Sequence, residues 1–165
     1  MKDSADLHVE RWRGWQGLDF DEQTEAAMTR MSTLLKHLNR SDRAMIADVG
    51  LQWDEYDTLH KLLIRDTPGS ATPSELAADL MMSPAGLTGR LDRLERAGLV
   101  RRVRGDRDRR RVDIEITDEG RDRCLRAMRL RGRTEDRAMG ALTEAEKHTL
   151  NRLLKKMLLR IEARD

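Results

Sequence analysis

The chain has 165 residues, 38% of them charged, yet 32 Lys and Arg against 30 Asp and Glu leave a net charge of only +2, and aromatics make up 3%. So much charge with so few rings leaves little for a large core and points to amphipathic helices completed by a second subunit. No run nears the roughly 18 apolar residues of a membrane span. The start shows no signal-peptide stretch, and the single cysteine, Cys124, has no partner for an internal disulfide, so the cytoplasm is the expected compartment.

Residues 1–18 read as an N-terminal arm whose Trp12 and Trp15 dock on something, because a loose tail has no use for two indoles. Asp19 followed by Glu22 resembles a capping box and opens a helix. Met28, Met31, Leu35, Leu38, Met45 and Val49 form one apolar stripe on it, and Gly50 ends it. Residues 52–66 form a second helix with Tyr56, Leu59, Leu62 and Leu63 inward. Thr67-Pro68-Gly69-Ser70 is a turn.

Thr72-Pro73-Ser74-Glu75 combines an N-cap, a proline at the first helical position and a Glu three residues after the cap. Leu76, Ala77 and Leu80 carry this short helix to about Met81. Ser83-Pro84 repeats the start signal at once. Leu87, Leu91 and Leu94 step by four and three, and Gly98 closes the helix. Two short helices joined by about three residues is helix-turn-helix spacing. Residues 99–104 and 111–116 read as two strands, the second alternating Val112, Ile114 and Ile116 with Asp113 and Glu115. The tip between them, Gly105 to Arg110, is loaded with arginine. A helix-turn-helix followed by a basic hairpin reads as a winged helix.

Thr117 caps a long helix to about Gly140. Thr143 and Glu146 make another capping box, followed by a wide stripe of Leu150, Leu153, Leu154, Met157, Leu158 and Ile161. Neither terminal stripe has an obvious partner in the small winged module, so both are expected to pack with their copies in a twin subunit. Ordinary packing within one chain is the alternative. The expected fold is therefore mainly α with a small β hairpin. It comprises an arm and dimerisation helix over 1–50, a winged helix-turn-helix over 51–117, and C-terminal helices over 118–165 completing a dimer interface.

Charge is unevenly placed. Residues 1–82 carry 9 basic and 15 acidic residues, residues 83–111 carry 10 and 4, and residues 112–165 carry 13 and 11. One concentrated basic stretch in a near-neutral protein suits a polyanion, with a solvated helix face and an Arg-rich loop as the plain alternative. On the exposed face of residues 83–93, Ser83, Pro84, Ala85, Gly86, Thr88, Gly89, Arg90 and Arg93 are candidate DNA contacts. Small residues permit close approach, and the helix start suits phosphate. Gly86 and Gly89 each cost roughly 1 kcal/mol of helix stability relative to Ala, which suits a groove-facing position; tight packing on another helix is the alternative. In the tip, Arg107, Arg109, Arg110 and Arg111 suit the narrow, negative minor groove of A·T-rich DNA.

The ordered set resembles the MarR family of bacterial transcription regulators. It runs from Ser74-Glu75-Leu76-Ala77 through Ser83-Pro84, Thr88, Leu91-Asp92-Arg93-Leu94-Glu95 and Gly98-Leu99-Val100. It ends with Asp108-Arg109-Arg110 and Thr117-Asp118-Glu119-Gly120. The resemblance implies a dimeric winged-helix protein, terminal helices at its interface, that binds double-stranded DNA and is usually released by small molecules. It implies that Asp108 braces the wing while Arg110 enters the groove. Residues 50–59 further resemble a urate-responsive branch, which implies an effector site of Trp12, Asp57, Arg90 and Arg102 for a small organic anion. Trp15 is an alternative to Trp12, and Asp57 with Arg90 is alternatively a structural salt bridge.

Other chemistries are poorly served. Cys124 reads as a core thiol beside Leu125 and Met128 rather than a peroxide sensor. His8, His37, His60 and His148 have no short metal spacing, although His37 and His60 could meet across the first two helices. No phosphate-binding glycine loop, nucleophile elbow or paired catalytic acid is present, so no enzyme and no cofactor are expected. The expected function is a ligand-responsive dimeric regulator, a repressor, acting on a pseudo-palindromic operator. An architectural protein coating A·T-rich DNA and a helical protein-interaction adaptor are the alternatives.

Overall fold

The computed structural model describes residues 1–13, 15, 19–104 and 112–163. Where an arm is expected, a helix α1 (Ser4–Arg13) forms and lies on α2 (Glu22–Asp48), burying Ala5 and Val9. Arg30 of α2 grips Asp3 and Asp6 at 2.8 and 2.5 Å, and His8 meets Glu25 at 2.8 Å. Trp12 packs edge-on against Phe20 at 5.6 Å, but Trp15 is 70% exposed. The cap of α2 is Asp21 rather than Asp19. Its carboxylate accepts from the Gln23 amide at 2.9 Å and the Thr24 hydroxyl at 2.8 Å, two residues closer to the first turn.

Next come α3 (Trp53–Ile64), β1 (Ser70–Ala71), α4 (Pro73–Asp79), α5 (Pro84–Arg96), β2 (Val100–Arg104) and β3 (Val112–Ile116). Gly50 and Gly98 follow helix ends with φ of +73° and +70°, which a glycine adopts without strain. The strands form an antiparallel sheet in the order β1-β3-β2. The unexpected strand is β1: the chain after the turn pairs Ser70 with Glu115, and two residues are too few to show alternation. The core lies here, where Leu59, Leu62, Leu76, Leu87, Leu91, Leu94 and Ile114 are all within 2% of fully buried. Burying such side chains contributes about 1.5–3 kcal/mol each.

Two long helices complete the chain, α6 (Asp118–Met139) and α7 (Glu144–Glu162). Thr117 starts α6, accepting from Gly120 N–H at 3.1 Å and donating to Gly98 C=O at 2.7 Å. Helix α6 packs on α2 and α3, with Cys124 and Ala127 fully buried. Burial pushes the Cys124 thiol up to about 12, so it is inert. Where the three helices meet, Arg131 of α6 donates from Nε to Asp42 at 2.8 Å and from Nη1 to the Tyr56 hydroxyl at 3.1 Å. Tyr56 stacks in turn on His60, with ring centroids 5.5 Å apart.

Helix α7 buries none of its residues. Its Leu154, Met157, Leu158 and Ile161 face Met28, Met31 and Leu35 of α2 across an open groove of about 970 Å³. The stripe expected on α2 therefore divides. At its C-terminal end Val49 packs against the core, beside Ile46, which lies outside the expected stripe and is fully buried, while Met28 and Leu35 are more than half exposed. No described helix is long and apolar enough to cross a membrane.

Two outcomes follow from this packing. A Cβ on Gly120 would stand 2.1 Å from the Leu99 carbonyl oxygen, so Gly120→Ala should cost about 1–3 kcal/mol in urea unfolding by forcing the start of α6 off the backbone just before β2. Burial, helped by the Arg131 charge, lowers the His60 pKa, so the fold prefers the neutral ring. The unfolded chain then protonates first, and stability is full above about pH 6.5 and declines as pH falls below it. His60→Gln should flatten that decline in urea midpoints followed against pH.

Candidate nucleic-acid interface

Helices α4 and α5 form the helix-turn-helix, and their start signals operate as hydrogen bonds. Thr72 accepts from Glu75 N–H at 3.3 Å, and the Glu75 carboxylate accepts from Thr72 N–H at 2.9 Å. Ser83 accepts from Gly86 N–H at 3.2 Å. The turn between them carries Met81 at φ +50°, a left-handed conformation rare outside glycine, and leaves its side chain exposed.

Leu87, Leu91 and Leu94 anchor α5, which turns Ser83, Pro84, Ala85, Gly86, Thr88 and Gly89 to solvent. The Thr88 hydroxyl donates back to the Pro84 carbonyl at 3.0 Å. A Cβ on Gly89 would meet nothing within 4 Å, and one on Gly86 would meet only the neighbouring Ser83 and Met82 side chains. Neither glycine is there to let another helix close in. The first half of α5 thus presents a smooth, uncharged surface with the positive end of the helix dipole at its tip.

Arg90 corrects the expectation of an exposed residue, for its side chain is only 14% exposed. It lies three residues after Leu87 and four before Leu94, at the flank of the buried stripe, and turns back to α3. There it donates to the Asp54 carbonyl and the Thr58 hydroxyl, both at 3.2 Å, with the Asp54 carboxylate 3.5 Å from its Nε. Arg93, half exposed, shares that carboxylate at 2.5 Å. Asp54, not Asp57, is the acidic partner. Asp54 and Thr58 are one helical turn apart on one face of α3, while Asp57 is rotated away, close enough to His60 to act on its charge. The signal for both residues in the sequence is a Thr four positions after an Asp, on a helix next to a basic one.

Arg102 of β2 is bound to Asp92 of α5 at 2.6 Å and also to Glu95, tying the wing stem to the recognition helix. Arg101 pairs across the strands with Glu115 at 2.7 Å. Arg107, Asp108, Arg109, Arg110 and Arg111 lie outside the described residues. Among the described residues, no hydrogen bond, ion pair or ring contact joins any two of Trp12, Asp57, Arg90 and Arg102. His37 is exposed and does not contact His60, and no group of three metal-ligating side chains occurs among the described residues.

Comparison with known proteins places this geometry. The MarR family profile matches residues 54–112, from the start of α3 to β3. The HTH-type transcriptional regulator PecS of Dickeya dadantii is 32% identical over 146 residues, 88% of this chain and 87% of that protein. The HTH-type transcriptional repressor MdtR of Bacillus subtilis is 35% identical over 47% of this chain and 50% of its own. A MarR family protein from Bacillus stearothermophilus superposes with a TM-score of 0.74 at 21% identity, covering 87% of this chain and 99% of that one. The organohalide-sensing regulator RdhR, bound to 2,4-dichlorophenol, superposes with a TM-score of 0.65 at 20% identity, covering 87% and 86%. At such identities these structures establish the fold.

The open surroundings of Gly89 separate its stability from its use. Gly89→Ala should raise the melting temperature, gaining roughly 1 kcal/mol from helix propensity. It should weaken duplex binding, read by fluorescence anisotropy, because the added methyl stands on the exposed face expected to approach the groove.

Proposed function

The chain belongs to the MarR family of DNA-binding transcription regulators, and on that premise we propose that it is a dimeric repressor released from a pseudo-palindromic operator by a small organic anion. The observation that carries this reading is the open apolar groove between α2 and α7. Its stripes, Met28 and Leu35 on one side and Leu154 and Leu158 on the other, are too exposed for a finished surface. A second copy covering them would join residues 1–50 and 118–165 of two chains into one body, leaving the segments over 51–117 to read DNA. Two recognition helices then meet half-sites about one helical turn apart, roughly 34–36 Å.

In this reading Ser83, Pro84, Ala85, Gly86, Thr88 and Gly89 approach the major groove and Arg93 exchanges Asp54 for phosphate. The wing residues Arg107, Asp108, Arg109 and Arg110 serve the minor groove. Arg90 serves the recognition helix from behind. The effector enters through ion exchange. Arg90 and Arg102 already hold carboxylates, those of Asp54 and of Asp92 with Glu95, so an organic anion replaces like with like. Trp12 and Asp57 join them only when the dimer or the ligand assembles the site. The dichlorophenol-bound relative supports a small aromatic ligand, and the two carboxylate-bound guanidiniums of Arg90 and Arg102 support an anionic one. Release requires only that the anion prefer the unbound conformation, and tenfold release corresponds to about 1.4 kcal/mol of preference.

Footprinting of the region upstream of the gene, with sedimentation and an anion titration, tests this reading. A short palindromic footprint, a dimer at micromolar concentration and release by urate or phenolic carboxylates are expected. Leu154→Asp with Leu158→Asp should give monomers without a footprint, since an unpartnered charge is costly at a buried interface. Broad coverage of A·T-rich DNA indicates an architectural protein instead. A monomer that binds no duplex defeats the reading.

A further inference from the structure

Three helices meet at a single guanidinium. Arg131 of α6 gives Nε to Asp42 of α2 at 2.8 Å, Nη1 to the Tyr56 hydroxyl of α3 at 3.1 Å, and Nη2 to Glu135 at 3.0 Å. Its Cζ also lies over the Trp53 and Tyr56 rings, 5.6 Å from each centroid. Asp42 is 2% exposed, and its second oxygen has no hydrogen-bond partner among the described residues. As a source of stability this is a poor arrangement, because an apolar pair of similar volume commonly does as well or better. It does supply direction. A planar fork with three committed donors and two aromatic faces fixes the rotation of α3 against α2 and α6, which a greasy contact does not.

The other side of α3 holds the recognition helix. Asp54, next to Trp53 in sequence, binds both Arg90 and Arg93, and Thr58 one turn later binds Arg90 again. A rigid three-turn helix therefore has one side fastened to the long helices through Arg131 and another fastened to α5 through Asp54 and Thr58. We infer that Arg131 is a positioning residue for DNA reading: through Asp42, Trp53 and Tyr56 it sets the angle of α3, and with it α5, relative to the α2–α6 pair. The inference rests on the proposed role of α5 for its functional meaning, but its geometry can be tested without DNA.

Two variants separate positioning from stability. Asp42→Leu with Arg131→Met removes the charges while keeping bulk; Arg131→Lys keeps a cation for Asp42 but loses the plane over Trp53 and the fork. Spin labels on cysteines replacing Arg40 of α2 and Thr88 of α5, both exposed, report the intrachain α2–α5 distance in protein diluted with unlabelled chains; Cys124 is buried and stays unlabelled. The parent should give a narrow distance distribution. Both variants should melt near the parent's temperature yet give a broadened one. Without the labels, they should bind the footprinted operator at least tenfold more weakly, about 1.4 kcal/mol, with less discrimination between half-site spacings. A folded variant with the parent's narrow distribution and spacing preference overturns the inference and leaves Arg131 a structural residue. If the apolar pair does not fold, Arg131→Lys decides by the same readings. A parent that binds no duplex ends the DNA-reading function, while the distance distribution still decides whether Arg131 positions α5.

Discussion

Everything functional in this chain depends on the packing of α5 against α3 through Leu59, Leu87, Leu91 and Leu94, none more than 2% exposed. Those side chains commit one face of a 13-residue helix to the core and so decide which residues face outward. The outward face is unusual for a helix whose neighbourhood is rich in arginine: over its first half it carries a hydroxyl cap, a proline, two glycines and a threonine, with no charge. The guanidiniums of Arg90 and Arg93 are drawn back to Asp54, and that of Arg102 to Asp92 and Glu95. Charge flanks this uncharged face and is held in register by carboxylates. Such pairs in solvent contribute little to stability, about 0–1 kcal/mol each. Their effect is to order long side chains before any ligand arrives.

The same economy explains the ends of the chain. With few aromatics and much charge, the apolar residues suffice for one compact core beneath the winged unit and for little else. Helix α1 is held onto α2 by Ala5 and Val9 with a fringe of ion pairs. Helix α7 retains its helix through a capping box and its own sequence, with no buried residue. Isolated helices of this length are marginal in water. A helix that spends its stripe on nothing within its own chain is consistent with one that finds its core in another.

How much of this was legible in the sequence follows the range of the interactions. Helix starts at Thr72, Ser83, Thr117 and Thr143 were readable because each cap closes a hydrogen bond within three residues. The turns at Gly50 and Gly98 were readable because positive φ leaves few choices of residue. The cap at Asp21 was misplaced by two residues because Asp19, Asp21 and Glu22 all suit a first turn. The Asp42–Arg131 pair spans 89 positions and no local pattern announces it, although Asp42 lies four residues before buried Ile46 and Arg131 four after buried Ala127. A charge on a buried stripe is the trace such a pair leaves. The effector residues were the least legible. Family likeness suggested four positions, but the partners of each depend on helix rotation, and a shift of one residue separates Asp57 from the face that Asp54 and Thr58 share.

The strand order β1-β3-β2 has a consequence apart from recognition. It makes β2 an outer strand, five residues long, with a row of backbone donors and acceptors on its open side, of which the Arg102 N–H is already taken by the Glu95 carboxylate at 3.2 Å. Such a row is a template on which strands from other molecules can add. In β2 the sequence Val100-Arg101-Arg102-Val103-Arg104 sets three long guanidinium side chains along that margin, two of them tied to Glu115 and to Asp92 with Glu95, so an added strand would have to displace ordered ion pairs. The arginines of β2 and their carboxylate partners therefore also guard the open edge of the sheet, and removing the pairs would expose it to added strands.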